Sequence, residues 1–344
     1  VGHTVKPDLP ENQVLEWIFN EDCIEGCKAH IPDNFVDLII TDPPYGIGGD
    51  GLHKHYNRKE EFVIDGYIEI PAKEYPRFSL DWIKQAHRIL RPGGSIYIVS
   101  GYTHLRHILN ALAETPLIER NHLIWKYNFG VFTRNKYVSS HYHILYYTKP
   151  DGKVTFNTSC RYGLDEDGEN GGSSNYQDRE DVWVINREYK PGKTKNKNEL
   201  PTELLTRIIQ YSSNPDDLVF DLFLGSFSTA KTAIGLGRRV GGFEKSSYAF
   251  NHQIEEMQKI IPGGLLASLR VPTEKTVENR GKPWTEEEKQ DLLKRFHALL
   301  AESITKKRAV EILREEYGRG KWSIIKLLDQ IEDRMDSRLP LFDR

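Results

Sequence analysis

The apolar run Phe35-Val36-Asp37-Leu38-Ile39-Ile40 stops at Thr41-Asp42-Pro43-Pro44-Tyr45, and no other stretch constrains the fold as tightly. A run this short and this apolar reads as a buried strand. Two prolines end it, because each has a fixed φ and neither has an N–H to give to a neighbouring strand. Their carbonyls remain acceptors beside the Asp42 carboxylate, and the Tyr45 ring follows in the chain. Such a corner suits a planar group carrying an exocyclic amine: it offers two acceptors for N–H bonds and one aromatic face for stacking.

A second turn of this kind lies far downstream. Leu218-Val219-Phe220 reads as a strand that runs into Asp221-Leu222-Phe223-Leu224-Gly225-Ser226. Thr229 to Leu236 has helical spacing, and Arg238-Arg239-Val240-Gly241-Gly242-Phe243-Glu244 is another short strand with an acid at its carboxyl end. A strand, a glycine turn, a helix and an acid roughly 20 residues on can hold an adenosine. Gly225 would let the backbone approach the ligand, and Glu244 would accept from the ribose hydroxyls. The turn lacks the G-x-G-x-x-G spacing, which argues against a nicotinamide cofactor.

Together the two turns resemble the S-adenosylmethionine-dependent DNA amino-methyltransferases. Their order, Asp-Pro-Pro-Tyr first and Phe-x-Gly last, resembles the beta class of that family. The similarity covers most of residues 12–262. It extends to Asn20-Glu21-Asp22-Cys23 after the first strand, Leu90-Arg91-Pro92-Gly93-Gly94-Ser95 before Ile96-Tyr97-Ile98-Val99, Trp125-Lys126-Tyr127, and Leu200-Pro201-Thr202-Glu203-Leu204-Leu205. Phe227 stands where the family usually has a second glycine, and Glu199-Leu200-Pro201 replaces its Gln-Lys-Pro.

Strands and helices alternate along the first 271 residues, which predicts an α/β fold: a doubly wound, mostly parallel, Rossmann-like sheet in permuted order with the cofactor turn last. The sequence divides into a polar tail (1–11), a methyltransferase domain (12–271) with a target-recognition region (128–198), a linker (272–281) and a small helical module (282–336). Thr285 and Glu288 form a capping-box pattern at the start of that module. Trp284-Thr285-x-Glu287-Glu288 and Lys321-Trp322-Ser323 weakly resemble Myb-like or helix-turn-helix units; a protein–protein module is the competing reading. Residues 46–75 form a long, glycine-rich, basic connection, read either as a lid over nucleic acid or as a solvated loop.

The net charge is only −3, so a nucleic-acid surface has to be a local patch. The three cysteines, Cys23, Cys27 and Cys160, argue against a disulfide framework, and the absence of a signal-like leader points to a reducing compartment: cytoplasmic if bacterial, nuclear if eukaryotic. No apolar run is long enough to span a bilayer, and no metal site is expected.

The resemblance implies that the chain uses S-adenosyl-L-methionine to methylate the N6 amine of adenine in a specific sequence of double-stranded DNA. The base is first swung out of the duplex. Asp42 and the Pro43 carbonyl would accept the two amino hydrogens, with Pro44 stiffening the corner and Tyr45 stacking on the base. Asp22 and Cys23 would frame the cofactor's adenine, Glu244 its ribose, and Asp221, Phe223, Gly225 and Ser226 its methionine moiety, supported by Thr202 and Glu203. Arg134, Lys136, His141, Lys193 and Lys195 would contact DNA. Neither Cys23 nor Cys27 lies in the proline turn, which argues against carbon-5 cytosine chemistry, where a thiolate must attack the ring. Cytosine N4 is the alternative target; a turnover-deficient DNA-binding or regulatory protein and an RNA amino-methyltransferase are the alternative functions. The resemblance leaves room for a homodimer and for a cognate restriction endonuclease or partner protein.

Overall fold

A computed structural model describes residues 15–44, 70–128, 130, 133–168, 172–187, 199–273, 278–279 and 281–335. Tyr45, the connection from 46 to 69, Lys193 and Lys195 lie outside the described residues.

The strands are β1 (Trp17–Phe19), β2 (Val36–Thr41), β3 (Leu90–Ser100), β4 (Ile118–Lys126), β5 (His141–Thr148), β6 (Val182–Val184), β7 (Leu218–Asp221) and β8 (Arg239–Phe243). They form one sheet in the order β1-β8-β7-β2-β3-β5-β4-β6. All neighbours pair in parallel except β3–β5 and β4–β5, so β5 alone of these eight runs against the rest. This is the mostly parallel α/β sheet that the alternating pattern predicts. The strand from the cofactor turn, β7, lies beside β2 although their sequences are far apart.

The sheet is covered on both faces. Helices α1 (Cys23–His30), α2 (Tyr75–Ile89) and α3 (Leu105–Ala113) bury one core, which includes Ile39, Ile96, Trp82, Ile108 and Phe220. Helices α5 (Thr202–Ser212), α6 (Ser228–Gly235) and α7 (Ser247–Met257) bury the other, which includes Leu38, Ile40, Val99, Leu204, Ala233 and Val240. Alternate residues of β2 go to opposite faces, so every position of the strand is buried. Asp37 is the one charge within it. Its carboxylate takes an ion pair from Arg91 at 2.6 Å and the backbone N–H of Leu218 at 2.8 Å, which satisfies the buried charge and aligns β7 with β2.

Some boundaries differ from the sequence pattern. Helix α2 starts at Tyr75 rather than Phe78, because Pro76 fits the first turn, where no N–H partner is needed. Strand β3 starts at Leu90 rather than Ser95: the Gly93 N–H reaches the Lys149 carbonyl at 3.0 Å and carries the pairing through the glycine stretch. Strand β6 and the short helix α4 (Ser174–Asp178) were not anticipated.

The chain divides into two compact units. One holds residues up to 160 together with 179–270; the other holds 161–178 together with residues from 271 on. In the second unit, α8 (Glu286–Ala301), α9 (Lys306–Tyr317) and α10 (Lys321–Met335) close on Leu292, Phe296, Val310, Leu313, Ile324 and Leu328. The capping box at Thr285 and Glu288 is formed in both directions, at 3.1 and 2.9 Å. Helix α9 ends at Gly318, whose φ of +55° favours glycine. Segment 161–178 is tied to these helices by Arg314, which is buried and donates to the Asp167 carboxylate and the Asp165 carbonyl, each at 2.7 Å. The sequence pattern assigned 161–178 to the region between the two motif halves, and nothing in it pointed to this attachment.

Candidate active site

The carboxyl ends of the parallel strands β2, β7 and β8 lead directly into Asp42-Pro43-Pro44, the Asp221 turn and Glu244. Thr41 ends β2 and Asp221 ends β7, and the buried Thr41 hydroxyl donates to Asp221 Oδ1 at 2.9 Å. The same oxygen accepts the Phe223 N–H at 3.0 Å. Asp221 thus ties the second turn to the first. Burial pushes its carboxyl up to about 7, although the hydrogen bonds pull the other way.

The turn after β7 is built around two left-handed residues. Gly225 has φ +51°, and a side chain there would meet nothing closer than 3.8 Å, so the backbone is open to a ligand on that side. Phe227 has φ +60° and ψ +22°, a conformation that suits glycine. Its ring is fully buried against Phe250, 6.1 Å away, in the core beneath α6 and α7. The residue that departs from the family pattern therefore keeps the backbone a glycine would adopt and puts its bulk into the core. The Phe223 ring packs at 5.7 and 5.5 Å from Phe78 and Trp82 of α2.

Glu244 follows β8 and faces this turn. One carboxylate oxygen accepts the Gly225 N–H at 2.9 Å and the other the Ser246 N–H at 2.7 Å. Burial raises its carboxyl above the usual range. The Asn20 side-chain amide after β1 donates to the Glu244 carbonyl at 2.7 Å. Asp22 caps α1 through the Ile24 N–H at 2.9 Å and lies 3.1 Å from the Lys245 ammonium. Asn20, Asp22, Glu244 and Gly225 thus line one stretch of the sheet edge. The Cys23 side chain is buried in the core on the α1 side. Burial pushes its thiol well up and that of Cys27 to about 12, so neither supplies a thiolate at neutral pH. Thr202 and Glu203 open α5, which runs back against the strands and so begins at this same edge. A cavity of about 520 Å³ opens beside Asp22 and Lys245 between α1 and α2; neither Asp42 nor Gly225 lines it.

Asp42, Pro43 and Pro44 continue β2 over the edge. The Pro44 carbonyl accepts the Tyr75 hydroxyl at 2.8 Å. This corrects the expectation of two open proline carbonyls: the Pro44 oxygen already accepts the Tyr75 hydroxyl.

Beyond Asp42 the edge becomes aromatic. Residues 38 and 40, 144 and 146, 123 and 125, and 183 and 185 all belong to the same core face. Alternation carries that face to Asp42, Tyr142, Tyr127 and Arg187. The Arg187 guanidinium lies 4.7 Å from the Tyr127 ring centre and donates to the Tyr142 hydroxyl at 3.1 Å. Burial, and to a lesser extent the Asp42 charge, raise the Tyr142 phenol, while Arg187 opposes them. Arg187 was missed from the sequence; the spacing Trp183, Ile185, Arg187 was the available signal. Arg134 and Lys136 are exposed in the segment between β4 and β5, beside Tyr137, which is 98% exposed. Lys136 reaches the exposed Tyr102 hydroxyl at 3.5 Å. His141 starts β5, with its ring 5.1 Å from that of His143. Among the described residues no acid, histidine or cysteine cluster fit for a metal occurs, and no helix is long and apolar enough to cross a membrane.

The chain is 33% identical over 248 residues to the type II methyltransferase M.BamHI of Bacillus amyloliquefaciens, covering 67% of this chain and 54% of that protein. It is 30% identical over 266 residues to the type II methyltransferase M.BglII of Bacillus subtilis, covering 69% of each. The chain therefore spans about half the length of the first relative. Its fold matches TTHA0409 of Thermus thermophilus, described as a DNA modification methylase and solved with S-adenosyl-L-methionine, at TM-score 0.50 and 21% identity over 71% of this chain and 93% of that one. A family described as DNA methylase, of the N6/N4 type, matches residues 36–256, the stretch that holds both turns and the sheet edge between them, and the chain belongs to that family.

Proposed function

We propose that this chain transfers the methyl group of S-adenosyl-L-methionine to the exocyclic amine of a base in double-stranded DNA, with adenine N6 as the target. The observation that carries this reading is the Thr41–Asp221 hydrogen bond, which brings the two turns together at one edge of the sheet. The residues present fit the cofactor. Gly225 leaves an open approach, the half-buried Glu244 carboxylate faces it, and Asp22 stands at the far end. Asp22, Gly225, Ser226 and Glu244 would hold the cofactor together with the backbone of Cys23 and Phe223, whose side chains pack into the core, with Thr202 and Glu203 at the start of α5 supporting its methionine end and Asp221 ordering the turn. When bound, the cofactor supplies an electrophilic methyl on a sulfonium.

The chain's own contribution is orientation. An amine on an aromatic ring is a poor nucleophile because its lone pair is delocalised. Asp42 and the Pro43 carbonyl would accept its two hydrogens and direct the lone pair toward the methyl, without a covalent intermediate. Tyr45 would stack on the base, returning part of the few kcal/mol spent on flipping it out of the duplex. The Tyr142–Arg187 pair beside Asp42 would form the next wall of the base pocket. Arg134, Lys136, His141, Lys193 and Lys195 would bind DNA, within a target-recognition region at 128–198. The helical module, which weakly resembles Myb-like or helix-turn-helix units, would add DNA contacts, or join a protein partner on the competing reading.

Asp42, rather than serine, at the first position of the proline turn favours adenine over cytosine. The left-handed backbone of Phe227 supports a working turn over a turnover-deficient scaffold. The test is to incubate the protein with unmethylated genomic DNA and labelled cofactor and to identify the modified nucleoside by mass spectrometry. N6-methyldeoxyadenosine is expected. N4-methyldeoxycytidine would keep the site and overturn the choice of base; label in RNA alone, or none, would overturn the function. Asp42→Ala should abolish transfer and leave cofactor affinity intact.

A further inference from the structure

The Asp42-Pro43-Pro44 corner has a problem of restraint. Neither proline has an N–H, so neither can be fixed by donating a hydrogen bond. Each proline fixes its own φ, and Pro44 confines the ψ of Pro43 before it, but the ψ of Pro44, which decides where its own carbonyl points and how the chain leaves the corner, is not fixed by a following proline. A donor held on the Pro43 carbonyl would take one of its two lone pairs and compete with the amine. The Pro44 carbonyl is the remaining backbone handle. Thr41 restrains the corner on its strand side through Asp221, and Tyr75 restrains its outgoing side through the Pro44 carbonyl at 2.8 Å.

Tyr75 is well placed for this. It is 1% exposed, at the first position of α2. Its ring stacks on that of His104, 4.0 Å away and 19° from parallel, and meets the edge of Phe78 at 5.8 Å. His104 is itself buried, at the cap that starts α3. The hydroxyl therefore hangs from two helices that pack on the sheet. A group held in this way positions its partner more closely than a loop residue does.

We infer that Tyr75 is a positioning residue for methyl transfer: its hydroxyl locks the Pro44 carbonyl so that Asp42 and the Pro43 carbonyl present two acceptors at a fixed angle. The inference rests on the amine-methylating reading above. It assigns Tyr75 no contact with base or cofactor, so its loss should slow the chemical step and spare binding.

The test compares wild type, Tyr75→Phe and Tyr75→Leu in the full chain, with unmethylated genomic DNA and labelled S-adenosyl-L-methionine. The Tyr75→Phe change removes one oxygen and keeps the ring. Its kcat should fall about tenfold or more, with KM for cofactor and DNA, calorimetric cofactor affinity and melting temperature near wild type. Tyr75→Leu should lose at least as much kcat and melt earlier, because the stacked ring is gone. If kcat of Tyr75→Phe equals wild type, or falls only with the folded fraction, the inference is overturned, as it is if Tyr75→Leu alone is impaired. A wild type inactive on DNA overturns the underlying reading instead, and so is told apart from failure of the Tyr75 assignment.

Discussion

Thr41 and Asp221 stand 180 residues apart and share a buried hydrogen bond of 2.9 Å. The bond joins the ends of β2 and β7, and with them the acceptor turn and the glycine turn. Asp221 is nearly inaccessible, and its carboxyl titrates near 7 in the folded chain, against an ordinary value of 3.8. A folded value above the unfolded one means that the folded state binds more protons between about pH 4 and 7. The contribution of this group to stability is therefore greatest below about pH 4 and is lost as pH rises through 7. Asp221→Asn keeps an acceptor for Thr41 and Phe223 without the charge. Its melting temperature relative to wild type should rise from about pH 4 to 7 and then level off; a constant difference across that range would contradict the assignment.

Phe227 combines an unfavourable backbone with a favourable side chain. The left-handed conformation costs about 1–2 kcal/mol outside glycine, whereas removing a buried phenylalanine ring costs about 3–5 kcal/mol. Phe227→Gly should therefore lower unfolding free energy by roughly 1–4 kcal/mol in denaturant titration. Cofactor affinity of the folded protein, measured by calorimetry, should change little, because the ring points into the core. A stable variant with much tighter cofactor binding would show that the ring blocks the site.

Arg134 and Lys136 are exposed beside Tyr102 and Tyr137. Replacing both by glutamate should weaken duplex DNA of any sequence and reduce the dependence of binding on salt, with a change of about 1 in the log–log slope for each phosphate no longer neutralised. Anisotropy titrations at several salt concentrations provide the measurement. Cofactor binding should be unaffected.

Arg314 is 6% exposed and holds segment 161–178 through Asp167 and the Asp165 carbonyl. Arg314→Met should free that segment while the sheet stays folded. Hydrogen exchange should rise at least about tenfold across 161–178 and stay at wild-type levels in β2 and β7. Equal protection in both proteins would mean that Arg314 does not hold the segment.

Much of the sheet was legible because period-2 and period-3.6 apolar patterns bound by glycine and proline survive in β2, β7, α5 and α6. The two turns were legible because proline and glycine restrict or free the backbone wherever they occur. What escaped depends on distance in sequence. Tyr75 stands ahead of Phe78, where the helical periodicity begins, and nothing local marks its hydroxyl as the partner of Pro44. Arg187 follows a three-residue edge strand, and the alternation Trp183, Ile185, Arg187 is a weak signal over so short a run. Segment 161–178 is polar and irregular, and its order comes from a buried arginine nearly 150 residues away.

On the proposed reading, the ends of β2 and β7 frame one cleft for cofactor and base. A crystal structure with S-adenosyl-L-homocysteine tests it most directly. The ribose is expected within hydrogen-bond reach of Glu244, the adenine beside Asp22, and the sulfur over the Gly225 turn, facing Asp42. Density confined to the charged cavity between α1 and α2, with nothing at Glu244 or the Gly225 turn, or density at the opposite edge of the sheet, would contradict it.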